Sequence, residues 1–320
     1  MSTKTSAVSS RENKRLLYPS WKKDFKRNKV LYLLFVPVAV YFIVFNYAPL
    51  SGLVLAFKSY SVSKGIFGSD WVGLENFKDL FTGEAFALAM RNTIAMALMN
   101  LIVGFAVPVI LALLICEVRS KVYRRTVQTI SYMPYFIAAV VVSALAKDFF
   151  SSGGAITQFL SLFGLEQQNW IANPDIPVFW FINTFIEVWR GSGYGTIVYV
   201  AAIMGVNGDL YEAAAMDGAN RWKRITRITL PSIMPLIVMM LTMRVGTIFV
   251  QGFDMVLLLY MPSTYVTADV ISTYTYRMAF GSTINYGLST ASGLFQSIIG
   301  TVLLFFSNWL NRKSNDMALF

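Results

Sequence analysis

The chain has 320 residues, 56% hydrophobic and only 14% charged, with 27 Lys and Arg against 17 Asp and Glu for a formal net charge of +10. A soluble domain would carry about a quarter charged residues, so the composition points to lipid, and bases gathered between apolar stretches argue against nucleic acid. Histidine is absent and Cys116 is the one cysteine, which excludes a disulfide framework, a metal cluster and most enzyme chemistry.

Residues 1–29 read as a basic cytoplasmic tail, carrying Lys14, Arg15, Lys22, Lys23, Lys26, Arg27 and Lys29. The apolar stretch that follows is longer than a signal-peptide core and is expected to be a retained span. Apolar runs of roughly 20 residues predict an all-α integral membrane domain over 30–310. Its six spans fall at Val30–Leu50, Asn92–Ile115, Val127–Phe149, Val178–Met204, Ile233–Leu258 and Ser289–Leu310. Pro37, Pro108 and Pro134 are tolerable inside them, because neighbouring helices satisfy freed backbone groups. Residues 311–320 form a second tail. The tails and the Arg119–Arg125 and Arg221–Arg227 connections hold most of the bases, and the alternate connections hold few. The positive-inside rule then puts both termini in the cytoplasm. Trp71, Trp170 and Trp180, in or near the outer connections, suit interfacial anchors.

An ionisable group at bilayer depth costs about 2.5–3.5 kcal/mol on insertion scales, so each one needs a reason. Asn183, Glu187, Arg190 and Tyr194 fall on one helical stripe of the fourth span. Arg244, Thr247, Gln251 and Asp254 repeat the device in the fifth. Ser289, Ser292, Gln296 and Gly300 repeat it in the sixth. One reading makes these stripes a shared wet path for solute. The other has Glu187 and Arg190 neutralise one another while small residues serve helix packing. Trp189 and Tyr194 present flat apolar faces suited to sugar rings, or serve as packing and anchors. Arg190 and Arg244 match the geometry of a carboxylate, as on an acidic sugar, unless each is already paired within the protein.

The segment 205–232 contains "YEAAAMDGANRWKRITRITLPS" (Tyr211–Ser232) between two apolar runs. Asp209 with Glu212 three residues on predicts a capped helix start. Gly218 is placed to end that helix in left-handed geometry, Asn220 to cap a second helix, and Pro231 to open the next span. A helix of two turns is unstable alone in water and must pack against something. The low bulk of Ala213–Ala215 admits a close approach.

The spacing of Glu212, Ala213, Ala214, Gly218, Ile228, Leu230 and Pro231 resembles the EAA motif of binding-protein-dependent ABC importer permeases. "YAPLSGLVLAFKSYS", "WVGLENFKDLF", "RNTIAMALMNLIVGF" and "VQTISYMPYFIAAVVVSAL" are similar to the carbohydrate-uptake branch, especially permeases for complex oligosaccharides paired with lipoprotein receptors. The resemblance runs from Lys26 onward. It implies a type I ABC importer permease fold in a bacterial cell membrane. It also implies that Asp217 and Ala219, with the motif residues, dock as a coupling helix on an ATPase. Partners implied are a second related permease, two ABC ATPase subunits and an extracytoplasmic solute-binding protein. ATP and Mg would be held by the ATPases, because this chain has no GxxxxGK[ST] loop and implies no cofactor or catalysis of its own. The rival is an ion-coupled secondary transporter or channel using Glu187 and Asp254, which predicts broken helices at mid-membrane and inverted repeats; the sequence displays no such repeat and the rival leaves the 205–232 segment unexplained.

Overall fold

The computed structural model describes residues 21–174, 178–250 and 252–315. The chain divides into two units, 1–54 and 55–320.

In the first unit, α1 (Trp21–Arg27) and α2 (Lys29–Phe42) are joined through Asp24. Its carboxylate accepts from Asn28 Nδ2 at 2.8 Å and from the Tyr32 hydroxyl at 2.7 Å. Helical turns continue past Phe42, so that Lys29–Phe57 is long and apolar enough to cross a membrane. Its side chains from Val30 to Phe45 are mostly exposed, the pattern of a helix built for lipid.

The second unit begins with a two-residue antiparallel pair, β1 (Lys58–Ser59) and β2 (Asp70–Trp71). The amphipathic α3 (Glu75–Thr82) follows. Asn76 on α3 is buried and donates to the carbonyls of Ala56 and Lys58, which fixes the loop. The long α4 (Glu84–Cys116) then packs along α8 (Val178–Met204), whose ends match the fourth predicted span. Gly195 of α8 lies against Pro108 of α4, where even a methyl group would sit 3.3 Å from the ring.

The third predicted span is not one rod. α5 (Lys121–Tyr132) opens on the Ser120 hydroxyl, which accepts from the amide of Tyr123. A tight turn at Met133–Phe136 follows, Ile137 and Ala138 go extended, and α6 (Ala139–Phe149) leaves at 92°. Pro134 has no amide to continue the ladder, so the break falls there. The short α7 (Ala155–Ser161) packs on α6.

Past α8, α9 (Gly208–Met216) and the one-turn α10 (Arg221–Arg224) run through a widened turn into α11 (Leu230–Thr247). The fifth span was expected to reach Leu258. The helix instead ends at Thr247, and Gly252, at φ +80°, starts the separate α12 (Phe253–Leu259). α13 (Tyr265–Ala268), α14 (Ile271–Phe280) and the long α15 (Tyr286–Asn315) complete the unit.

Three apolar clusters hold it together. One joins Met96, Val142, Ile171, Phe179, Ile186 and Leu259. A second joins Leu80, Phe86, Ile271 and Tyr274, and a third, beside the base-rich connections, joins Ala112, Ile115, Tyr199, Ile203 and Ile233. Where α11 crosses α15, a Cβ on Gly300 would lie 2.8 Å from the Gly246 carbonyl, the small-residue contact that membrane helices use.

Against six expected spans, four helices among the described residues are long and apolar enough to cross a membrane, or five if the bent α5–α6 pair is counted as one span. α8 has the length, but Asn183, Glu187 and Arg190 lower its apolarity. The expected anchors differ from one another. Trp170 is buried in the first cluster, Trp180 donates its indole N–H to the Thr267 carbonyl at 2.6 Å, and Trp71 is exposed and stacks on Phe57.

Candidate coupling segment and polar interior

α9 starts on Asn207, not Asp209: the Asn207 side-chain oxygen accepts from the Asp209 amide at 3.0 Å. The acid instead sits in the first turn, where it complements the helix dipole. At the other end Gly218 has φ +70°. Its amide donates to the Ala215 carbonyl at 3.1 Å and the Ala219 amide to the Ala214 carbonyl at 2.9 Å. This is the Schellman pattern that left-handed glycine permits. The Asn220 side chain then accepts from the Lys223 amide at 2.9 Å, as the sequence predicts, and Pro231 stands in the first turn of α11.

The bend is therefore rigid on three devices: a cap, a left-handed glycine and a second cap. A shared hydrogen bond of 2.9 Å between the Tyr211 and Thr229 hydroxyls ties α9 to the entry of α11. Glu212, Ala213, Asp217, Gly218 and Pro231 are exposed, and Ala214, Ala219, Ile228 and Leu230 are half-buried. Met216 and Trp222 are exposed by 89% and 71%, unusual for residues of that size unless something covers them.

In the interior, α8 and α11 bring their stripes together. Glu187 lies within electrostatic reach of Arg190, Arg244 and Asp254. The expected neutralisation of Glu187 by Arg190 is not a direct ion pair, since the described residues form ion pairs only at Lys64–Asp70 and Asp269–Arg277. The buried Arg190 Nε has no partner. Arg244 is held by an amide rather than an acid: one terminal nitrogen donates to the Asn100 side-chain oxygen and, at 3.4 Å, to the Asn100 carbonyl. Gly104 makes the room, because a Cβ there would meet Asn100 Oδ1 at 2.2 Å and Arg244 Nη2 at 2.9 Å. Asn183, buried, reaches Met96 Sδ at 3.8 Å and leaves its oxygen unpaired. Asn100, Asn183 and Arg244 line a cavity of about 20 Å³, which is water-sized.

Tyr194 is stacked on Tyr135 with centroids 4.0 Å apart and planes 4° from parallel, so one face is already taken. Trp189, Thr247 and Asp254 are exposed, and Gln251 lies outside the described residues. The third stripe is tied to its neighbours by hydrogen bonds. Gln296 donates to the Phe249 carbonyl and to Ser272 at 2.8 Å, Ser292 accepts from Thr275 at 2.8 Å, and Ser289 donates to the Thr275 carbonyl at 2.9 Å.

Sequence reasoning missed a clasp between the N-terminal part of α4 and the chain that leads into α14. Asn92 donates to the carbonyls of Asp269 (2.9 Å) and Val266 (3.1 Å), and the Thr93 hydroxyl accepts from the Ile271 amide at 2.9 Å. Asp269 accepts from Thr273 at 2.7 Å and pairs with Arg277, which also lies over the rings of Tyr265 and Tyr274. Burial pushes the Asp269 carboxyl up, opposed by the Thr273 hydroxyl and the Arg277 charge. The signal was present as Asn92 and Thr93, polar residues at the start of an apolar run.

The family model for "binding-protein-dependent transport system inner membrane component" matches residues 104–316. The chain belongs to that family. Among members of the inner membrane component family, Protein LplB of Bacillus subtilis (strain 168) is 38% identical over 304 residues, covering 94% of each chain. The polygalacturonan/rhamnogalacturonan transport system permease protein YteP of the same organism is 37% identical, over 92% of this chain and 91% of its own. A chain from the crystal structure of a bacterial ABC transporter involved in the import of the acidic polysaccharide alginate is 41% identical, with TM-score 0.84 over 92% of this chain and 98% of its own. The same match, at TM-score 0.83, holds for that transporter in complex with an alginate pentasaccharide-bound periplasmic protein. Of these, YteP is named as a transport system permease, and the two solved structures as ABC transporters.

Proposed function

We propose that this chain forms half of the translocation path of an ATP-driven ABC importer that carries an oligosaccharide, acidic sugars fitting best, across a bacterial cytoplasmic membrane. The observation that carries the proposal is the exposed, rigidly bent α9–α10 segment. It holds the EAA spacing, buries little of itself, and presents Glu212, Ala213, Asp217 and Gly218 outward. A shallow helix with small side chains suits a cleft on a separate ATPase subunit. Two such subunits would hold ATP and Mg and, on closing, move the segment and favour one arrangement of the spans. In this reading there are six spans, α8 and the bent α5–α6 pair included. Both termini are cytoplasmic, which sets the base-rich connections inside. A second, related permease completes the pore, and an extracytoplasmic binding protein delivers the sugar. Asn183, Glu187, Trp189, Arg190, Tyr194, Arg244, Thr247, Asp254 and Gln296 face the path. Arg190 and Arg244 complement carboxylates, in keeping with the polygalacturonan/rhamnogalacturonan named for one relative and the alginate named for the solved transporter.

Co-purification tests the segment. The wild-type chain should retain a nucleotide-binding subunit, whereas Glu212→Lys and Gly218→Asp should lose it while remaining folded in the membrane. Retention by both variants, with transport abolished by a proton uncoupler, would turn the assignment to an ion-coupled carrier.

A further inference from the structure

The break in the third span leaves α5 with a face that the transport path does not use. α5 meets α6 at 92°, and α6, with 11 residues, is only about 16 Å long. At 100° per residue, Val122, Tyr123 and Ile130 fall on one side of α5 and Lys121, Arg124, Arg125 and Gln128 on the other. The three apolar residues are exposed by 77%, 61% and 59%. Bases beside exposed apolar side chains suit the end of a span that meets the membrane at headgroup depth, which is where the α5 end of the bent α5–α6 span lies in the reading above.

Beside it is an open pocket of about 480 Å³, lined by Lys121, Val122, Arg124, Arg125, Thr126 and Gln128, with Met204 from the end of α8, so bases and apolar side chains share its wall. No carboxylate lines it. None of the three bases forms an ion pair among the described residues. Unpaired cations around a pocket of this size, next to exposed apolar side chains, need a ligand with both an anionic head and an apolar body.

We propose that this pocket binds the headgroup of an anionic phospholipid of the phosphatidylglycerol type, with Lys121, Arg124 and Arg125 on the phosphate and Thr126 and Gln128 on the glycerol hydroxyls. The acyl chains run along the exposed face of α5. Inorganic phosphate or an acidic protein loop would match the bases and leave Tyr123 and Ile130, which lie outside the pocket, uncovered. The site rests on the cytoplasmic placement of the basic connections proposed above, because that position puts α5 at headgroup depth.

Native mass spectrometry of the full-length chain, loaded with phosphatidylglycerol or with phosphatidylcholine, tests it. One base near a membrane surface is worth about fivefold in anionic-lipid affinity. Arg124→Gln/Arg125→Gln should therefore hold phosphatidylglycerol about 25-fold more weakly, while Arg124→Lys/Arg125→Lys retains it. Equal retention of the two lipids by the wild type, or unchanged retention by the glutamine variant, overturns the site. So does a cross-link from Thr126→Cys to a second permease subunit in a chain without lipid preference. A membrane-impermeant maleimide applied to Thr126→Cys in a Cys116→Ser background separates the two readings. Labelling from outside overturns the topology. Labelling from inside without lipid preference overturns the lipid site alone.

Discussion

A guanidinium inside a span costs about 2.5–3.5 kcal/mol on insertion scales, and the way this protein offsets that cost is visible at Arg244. Asn100, one helix away, accepts two of its hydrogen bonds, and Gly104 leaves the space in which they form. Only one terminal nitrogen is used, so the remaining donors stay available to a carboxylate. Arg244→Ala should then cut sugar uptake at least tenfold while the ATPase still co-purifies, and unchanged uptake would remove it from the path. Gly104→Ala should reproduce part of that loss through displacement of Asn100, read as a raised half-saturation concentration for uptake. Arg244 itself was legible in the sequence as a lone charge in an apolar run. Its partner was not, because Asn100 lies 144 residues away and only packing of α4 on α11 brings them together.

At the scale of elements, local signals were read well where the backbone alone decides and less well where helices meet. The left-handed Gly218, the Asn220 cap and Pro231 at the entry to α11 follow from chemistry within a few residues, and all three stand as expected. α9 starts at Asn207 rather than at the expected Asp209, because the Asn207 side chain takes up the Asp209 amide and draws that residue into the first turn. The 92° break was missed because Pro134 inside a span is compatible with either a mild kink or a full break. What fixes it is the approach of α8: a Cβ on Gly193 would lie 1.8 Å from the Ser131 carbonyl. Gly193→Ala should push the two elements apart, at a cost of about 1–3 kcal/mol for overpacking, seen as a lower melting temperature of the purified chain. The clasp around Asp269 offers a second measurement. Asp269→Ala leaves Arg277 without its carboxylate in a largely buried site, and loss of one partner of such a pair costs about 3–5 kcal/mol. Replacing both residues by apolar ones of similar volume should restore much of the thermal stability.

Over the whole molecule, apolar run length and the alternation of base-rich connections argued for a multi-pass helical protein, and the family match over residues 104–316 agrees. The proposed inside placement of both ends has a direct check: a reporter fused after Phe320 should be active only if it is cytoplasmic, and a periplasmic signal would invert every span. Composition, capping chemistry and the EAA spacing are properties of neighbours along the chain, so the sequence by itself determined the lipid habitat, the helical class, the capped and bent α9–α10 segment and the family. Which polar residues share an interior, which merely lock helices and where a span breaks depend on groups far apart in the chain. Those distinctions appeared only once α4, α8, α11 and α15 were packed, because a hydrogen bond between helices is decided by their contact geometry rather than by either helix alone.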